Sequence, residues 1–185
     1  MRFLAPALAA CLLAACASVP FAPPVAVPVA DEAFDVTGRL AAKYGTEGVV
    51  ARFAWRHDPP NDLIEVATPL GTTMATLEAS PRGARATLSD GRVFEDADAD
   101  RLAARTLGFG LPVKDLAWWL RAAPRPGAEH AIERDARGRV SVLRQAAWTI
   151  VYAYPDDDAK RPSRLDARYP DLEVRIAIEA WTPPS

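Results

Sequence analysis

Short turns between runs of alternating polarity constrain this chain more than any other feature of it. Phe34, Val36, Gly38, Leu40, Ala42 and Tyr44 alternate with Asp35, Thr37, Arg39, Ala41 and Lys43, the period of two expected of a strand with one buried face. Gly45-Thr46-Glu47-Gly48 reads as a hairpin turn, and the next strand sets Val49, Ala51, Phe53 and Trp55 against Val50, Arg52, Ala54 and Arg56. Pro59-Pro60-Asn61-Asp62, Thr68-Pro69-Leu70-Gly71-Thr72, Ser80-Pro81-Arg82-Gly83 and Ser89-Asp90-Gly91 divide the chain from there to residue 95 into further short runs. A parallel crossover needs a dozen or more residues, so connections this short leave only antiparallel neighbours. The first half of the chain is an antiparallel meander.

At Asp96 the period changes. Asp96, Asp98 and Asp100 offer side-chain oxygens and negative charge to a helix N-terminus, and residues 101–107 are predicted helical up to Gly108 and Gly110. Pro112 fits the first turn of a second helix, with Val113, Leu116, Ala117 and Leu120 on one face. Trp119 lies on the flank of that face and Trp118 points away from it, so this helix is buried on two sides or covers something apolar. Pro124-Arg125-Pro126-Gly127 is expected to end it. Strands resume at 131–134, 139–144, 148–154, 165–168 and 173–181. In 148–154 both faces read as apolar or aromatic: Trp148, Ile150, Tyr152 and Tyr154 against Thr149, Val151 and Ala153.

About eleven strand signals with one helical interlude predict a mainly β fold, one large antiparallel sheet curled into an unclosed β-barrel. Such a sheet cannot fill its own concave face, so an apolar cavity is expected, with the helices around Trp118 and Trp119 as its lid. Lined by Phe, Trp, Val and Leu, that cavity favours acyl chains.

Ahead of the sheet, Arg2 precedes a short apolar run that is too short to span a bilayer and fits a signal peptide, residues 1–15. Leu13-Ala14-Ala15-Cys16 resembles the bacterial lipobox, which implies cleavage before Cys16 and acyl chains on its thiol. The plainer alternative is a secretory signal with Cys16 merely nearby. Cys11 falls in the removed segment, so no intramolecular disulfide is expected. Ala17 stands where lipoproteins retained in the inner membrane carry aspartate, which favours the outer membrane. Pro20, Pro23, Pro24 and Pro28 make residues 16–33 an extended tether, and residues 34–185 form one domain.

Chemistry-bearing patterns are sparse. Without Arg2 the 22 basic and 24 acidic residues become 21 and 24, a balance that suggests neither nucleic acid nor a polybasic grip on anionic lipid. His57 and His130 are the two histidines, and no G-x-S-x-G elbow, glycine-rich phosphate loop or zinc spacing accompanies them. Asp156-Asp157-Asp158 reads as a solvated run rather than a metal site. No catalytic residue, metal or cofactor is therefore expected, and binding is the better reading. Leu70 is singular, a large apolar side chain between turn residues Pro69 and Gly71. It either folds back onto the sheet, stands exposed without consequence, or forms a finger that touches lipid.

These residues carry a resemblance. Gly38-Arg39-Leu40, Ala51-Arg52-Phe53-Ala54-Trp55, Thr68-Pro69-Leu70-Gly71-Thr72, Asp90-Gly91, Leu111-Pro112-Val113, Leu116 with Trp119-Leu120, Gln145 with Trp148 and Tyr152, and Ile178 with Trp181 follow one another as in the LolB family of outer-membrane lipoprotein receptors. The resemblance implies a lipid-anchored, monomeric receptor facing the periplasm. It would take acylated lipoproteins from the carrier LolA into an apolar cavity and place them among the phospholipids of the outer membrane's inner leaflet, without nucleotide or metal. It implies membrane insertion by Leu70 in the Pro69-Leu70-Gly71 loop. Cavity and lid candidates are Leu40, Phe53, Trp55, Leu116, Trp118, Trp119, Leu120, Trp148, Ile150 and Tyr152. The chain departs from the family at Ala122-Ala123, where a glycine is common. Two other classes compete: an assembly lipoprotein that pairs through an exposed sheet edge, and a lipid-modifying enzyme with a nucleophile beside His57 or His130.

Overall fold

β1 (Phe34–Tyr44) lies at the centre of the sheet, between β2 (Glu47–Asp58) and β11 (Leu172–Thr182). The computed structural model describes residues 31–182. The expected signal peptide, Cys16 and all but the last three residues of the expected tether lie outside the described residues. From β2 the meander continues through β3 (Asn61–Ala67), β4 (Thr73–Ser80), β5 (Gly83–Leu88) and β6 (Val93–Asp96). After helices α1 (Ala99–Leu107) and α2 (Val113–Trp119), a second meander runs through β7 (His130–Arg134), β8 (Val140–Gln145), β9 (Trp148–Ala153) and β10 (Arg164–Tyr169) into β11. The order is β6-β5-β4-β3-β2-β1-β11-β10-β9-β8-β7, with every neighbouring pair antiparallel. β6 and β7 are not paired, so the barrel is unclosed, as the turn lengths and strand count predict.

Alternation sets the inside. Phe34, Val36 and Ala42 of β1, Ala51, Phe53 and Trp55 of β2, and Leu172, Val174 and Ile176 of β11 are buried, while Arg39, Arg52 and Arg175 on the other face stay in water. Gly38 marks a register shift between β1 and β11. A Cβ there would overlap the Ala177 carbonyl oxygen and come within 2.9 Å of the Phe53 ring. Glycine thus permits the close approach at which the sheet bends.

Asp98 caps α1, accepting from the backbone N–H groups of Asp100 at 2.9 Å and Arg101 at 3.2 Å. Gly108, left-handed at φ 80°, closes the helix as expected. Leu102 packs on Ala84 and Ala86, so α1 covers the β5–β6 edge. The opposite edge, β7, is exposed apart from half-buried Ile132 and carries Glu133 and Arg134, charges that blunt strand pairing.

One expectation needs correction. α2 ends at Trp119 rather than at Pro124, because the chain turns left-handed at Ala122, φ 55°. There the N–H groups of Arg121 and Ala123 both donate to the Trp118 carbonyl. β9 is buried on one face only, through Trp148, Ile150 and Tyr152. Val151 is 45% exposed, because among the described residues nothing covers the outer face of the sheet here. Tyr154 lies beyond the strand, its ring under the Arg139 guanidinium at 4.2 Å and its hydroxyl donating to the Val140 carbonyl at 2.9 Å.

Candidate functional site

The interior is built by the concave face of the sheet and by α2. Phe53, Trp55, Leu116, Trp119, Leu120, Trp148, Ile150 and Tyr152 are buried in a single cluster, and Leu40 and Trp118 pack half-buried against it. Every residue expected at the cavity is therefore brought to one place. Trp119, Leu120 and Ile150 are completely buried within it. α2 contributes to this interior through Val113, Leu116, Ala117 and Trp119. A groove of about 920 Å³ bordered by Arg56, Asp62, Glu78, Arg82, Arg85 and Glu95 is charged and open, a different place altogether.

Gln145 holds this arrangement. Its Oε1 accepts from Trp119 Nε1 at 3.0 Å and from the Arg125 backbone N–H at 2.9 Å, while its Nε2 donates to the Arg125 carbonyl at 2.9 Å. One buried amide thereby pins both α2 and the segment after it to β8. The sequence motif contains Gln145 but not this role. A signal was available, since a glutamine among the inward residues of an apolar strand must find partners. The Trp119 ring lies 5.6 Å from that of Trp148, which in turn lies 5.3 Å from Tyr169. Trp118, by contrast, is half-buried beneath the Arg121 guanidinium, 4.5 Å from its ring centroid. The Tyr152 hydroxyl is buried with no hydrogen-bond partner among the described residues, and burial pushes its pKa up.

Leu70 is the second feature. It is 95% exposed at the tip of the β3–β4 loop. The Thr68 N–H donates to the Thr72 carbonyl at 2.8 Å, the Gly71 N–H to the Thr68 carbonyl at 2.9 Å, and the Thr72 N–H to Thr68 Oγ1 at 3.1 Å. Gly71 adopts φ 94°, the left-handed conformation this turn requires. The loop is tied to itself, and Leu70 projects instead of folding back.

The histidines give no catalytic arrangement. His57 is buried between two carboxylates, with Nδ1 2.7 Å from Asp62 Oδ1 and Nε2 2.9 Å from Asp31 Oδ1. Trp55 Nε1 donates to Asp62 at 2.7 Å, Arg121 donates to Asp31 at 2.9 Å, and the Phe34 ring stacks on His57 at 4.8 Å. This clasp joins residue 31, the β2–β3 turn and the end of α2. His130 is exposed, its Nδ1 3.1 Å from the Ala128 carbonyl. Among the described residues no three His, Cys, Asp or Glu side chains form a group that could hold a metal ion.

Burial alone would lower the pKa of His57, but the hydrogen bonds and charges of Asp62 and Asp31 outweigh it and raise the value above 6.5. A histidine pKa raised by folding stabilises fully below the unfolded value. That contribution is lost as pH rises through the folded one. The thermal midpoint of the parent should exceed that of His57→Leu most at pH 6, and the gap should narrow as pH rises past 6.5. A gap constant with pH would mean that charge on His57 contributes nothing.

An unclosed antiparallel barrel with an apolar interior and one projecting apolar loop defines the class. The chain belongs to the outer-membrane lipoprotein LolB family, whose profile, described as "Outer membrane lipoprotein LolB", matches residues 32–181. The outer-membrane lipoprotein LolB of Azoarcus sp. (strain BH72) is 38% identical over 97% of this chain and 95% of its own length. Those of Chromobacterium violaceum, 35% identical over 93% and 94%, and Thiobacillus denitrificans, 34% identical over 91% and 91%, are similar throughout. Among solved structures, the Mycobacterium tuberculosis lipoprotein LppX covers 82% of this chain at TM-score 0.36 and 11% identity, too distant to argue from. Membership makes this an outer-membrane lipoprotein, and none of these names carries a catalytic activity. No described helix is long and apolar enough to cross a membrane.

Proposed function

We propose that this protein is the receptor that ends lipoprotein transport: anchored by acyl chains on Cys16, it accepts acylated lipoproteins from the periplasmic carrier LolA and inserts them into the inner leaflet of the outer membrane. Leu70 carries the reading. A side chain 95% exposed on a self-tied loop contributes nothing to packing, and a bilayer is the environment in which it gains. The interior between the sheet and α2 is the larger of the two apolar clusters among the described residues, and it receives the acyl chain as α2 moves. The unpaired Tyr152 hydroxyl gives an incoming ester or amide carbonyl a donor inside it. Neither nucleotide nor metal enters this cycle, and the receptor acts as a monomer.

The test is transfer in two steps. A Cys16→Ala variant behind a plain secretory signal should fold, stay out of the membrane fraction, and take up a lipoprotein from the loaded carrier. Fractionation and carrier-to-receptor transfer measure this. Failure to receive cargo overturns the receptor reading. Recovery with the membrane as firmly as the parent overturns the acyl anchor.

A further inference from the structure

The two ends of the barrel differ in chemistry. Of the eight exposed large hydrophobic side chains among the described residues, six stand at or next to turns at one end: Tyr44, Leu70, Met74, Val93, Leu107 and Tyr169. Tyr44 and Tyr169 end their strands on either side of Leu172, each in register with it. Leu107 and Phe109 border the same depression as Tyr44. The Ser89 N–H donates to the Met74 carbonyl at 2.9 Å, which sets the β5–β6 turn, and Val93 beyond it, beside the Leu70 loop. The turns of the Leu70 end combine these apolar side chains with Glu47, Asp90, Arg92 and Asp171. None of the eight lies in the turns of the opposite end, which carry Arg82, Asp135, Arg137, Asp156, Asp157 and Asp158.

The chain enters at that charged end. Asp31 is held there by His57, next to the β2–β3 turn, and by Arg121. From Asp62, also bound to His57, to Leu70 is a strand path of roughly 26 Å at about 3.3 Å per residue. Covalent geometry lets the chain from Cys16 to Asp31 span at most about 50 Å. The anchor's attachment point is therefore at the far end from Leu70, yet the connecting chain is long enough to reach back past the barrel.

We propose that the whole Leu70 end, with Tyr44, Leu107, Tyr169, Met74 and Val93 around the finger, is a phospholipid-facing surface resting on the same bilayer that holds the acyl anchor. The inference rests on the acyl anchor and extends the role of Leu70 from a single side chain to a rim. Tyrosines at a bilayer boundary place the ring among the acyl chains and the hydroxyl among headgroups, which suits Tyr44 and Tyr169 at strand ends. The charged end would then face the periplasm.

The experiment uses the full acylated chain in vesicles of phosphatidylethanolamine and phosphatidylglycerol with brominated acyl chains. Fluorescent labels are placed singly by Tyr44→Cys, Leu107→Cys or Tyr169→Cys, and at the charged end by Arg82→Cys or Asp157→Cys. All five positions are at the surface. Quenching at the first three should exceed that at the last two by about threefold or more, as expected for interfacial side chains. Deleting residues 19–28 leaves a connection of at most about 18 Å, so quenching at the rim should fall to the level of the charged end. Equal quenching at both ends, or rim quenching unaffected by the deletion, overturns the proposal. So do rim labels that stay unquenched in vesicles but become shielded when LolA is added, which makes the face a protein contact. None of these measurements needs cargo, so they stand or fall separately from the transfer assay.

Discussion

Leu70→Glu is expected to fold and receive cargo like the parent but to pass it to membranes at least about tenfold more slowly. Burying a leucine contributes roughly 1.5–3 kcal/mol, and 1.4 kcal/mol is a factor of ten in an equilibrium. Losing that contact therefore removes about one to two orders of magnitude of membrane engagement, and a carboxylate adds resistance of its own. Folding is insulated because the loop's hydrogen bonds come from Thr68, Gly71 and Thr72, not from the Leu70 side chain. Uptake is insulated because the apolar interior lies between the sheet and α2, away from the loop tip. Leu70→Phe and Leu70→Ile should retain delivery. The assay loads each variant from the carrier and then follows cargo into vesicles. A Leu70→Glu variant that delivers at the parental rate, or that already fails at loading, removes Leu70 from the insertion step. On the proposed function the magnitude also suits the task, since one leucine would bias a tethered domain toward the bilayer without holding it there.

What the sequence revealed and what it hid divide along the range of the interactions. Alternation along 34–44 and 47–58, with turns a few residues long, is local, and strands, faces and antiparallel order arise from it. Leu70 was legible for the same reason, because Pro69 and Gly71 define the turn around it. How α2 packs against the concave face was not, because that is a relation between residues near 119 and residues near 148. The period-two pattern says which side chains point inward but not what meets them there. The His57 clasp was hidden in the same way: Asp31 lies 26 residues from His57 in sequence, and only the pairing of β1 with β2 brings them together. Ala122 illustrates a third case. The sequence shows alanine at 122, but only the backbone shows that it is held at φ 55° there, ending α2 early.

Trp119→Ala should be the most destabilising change in the lid, while Trp118→Ala should scarcely register. Removing a fully buried aromatic side chain costs about 3–5 kcal/mol, from lost transfer energy and from the cavity left behind. In a domain of this size each kcal/mol lowers the midpoint by about 2–4 °C, so a fall of roughly 10 °C is expected. Trp119→Phe should fall much less. It keeps most of the contact with Trp148, and Gln145 retains both of its bonds to Arg125. Trp118 is half-buried and lies under the Arg121 guanidinium, so its removal leaves the interior filled. The two indoles are adjacent in sequence yet do different work, and this bears on how cargo enters. On the proposed function acyl chains enter the interior against which α2 packs, so loading must break contacts that stabilise the closed protein. Weakening them should therefore lower the thermal midpoint and ease uptake together, provided the variant still folds at the assay temperature. Thermal unfolding followed by carrier-to-receptor transfer measures both quantities on the same samples. Should Trp119→Ala unfold no earlier than Trp118→Ala, the Trp119 contact is not what holds α2 shut. Should Trp119→Phe, folded and milder, load more slowly than the parent, opening of α2 is not the step that limits entry.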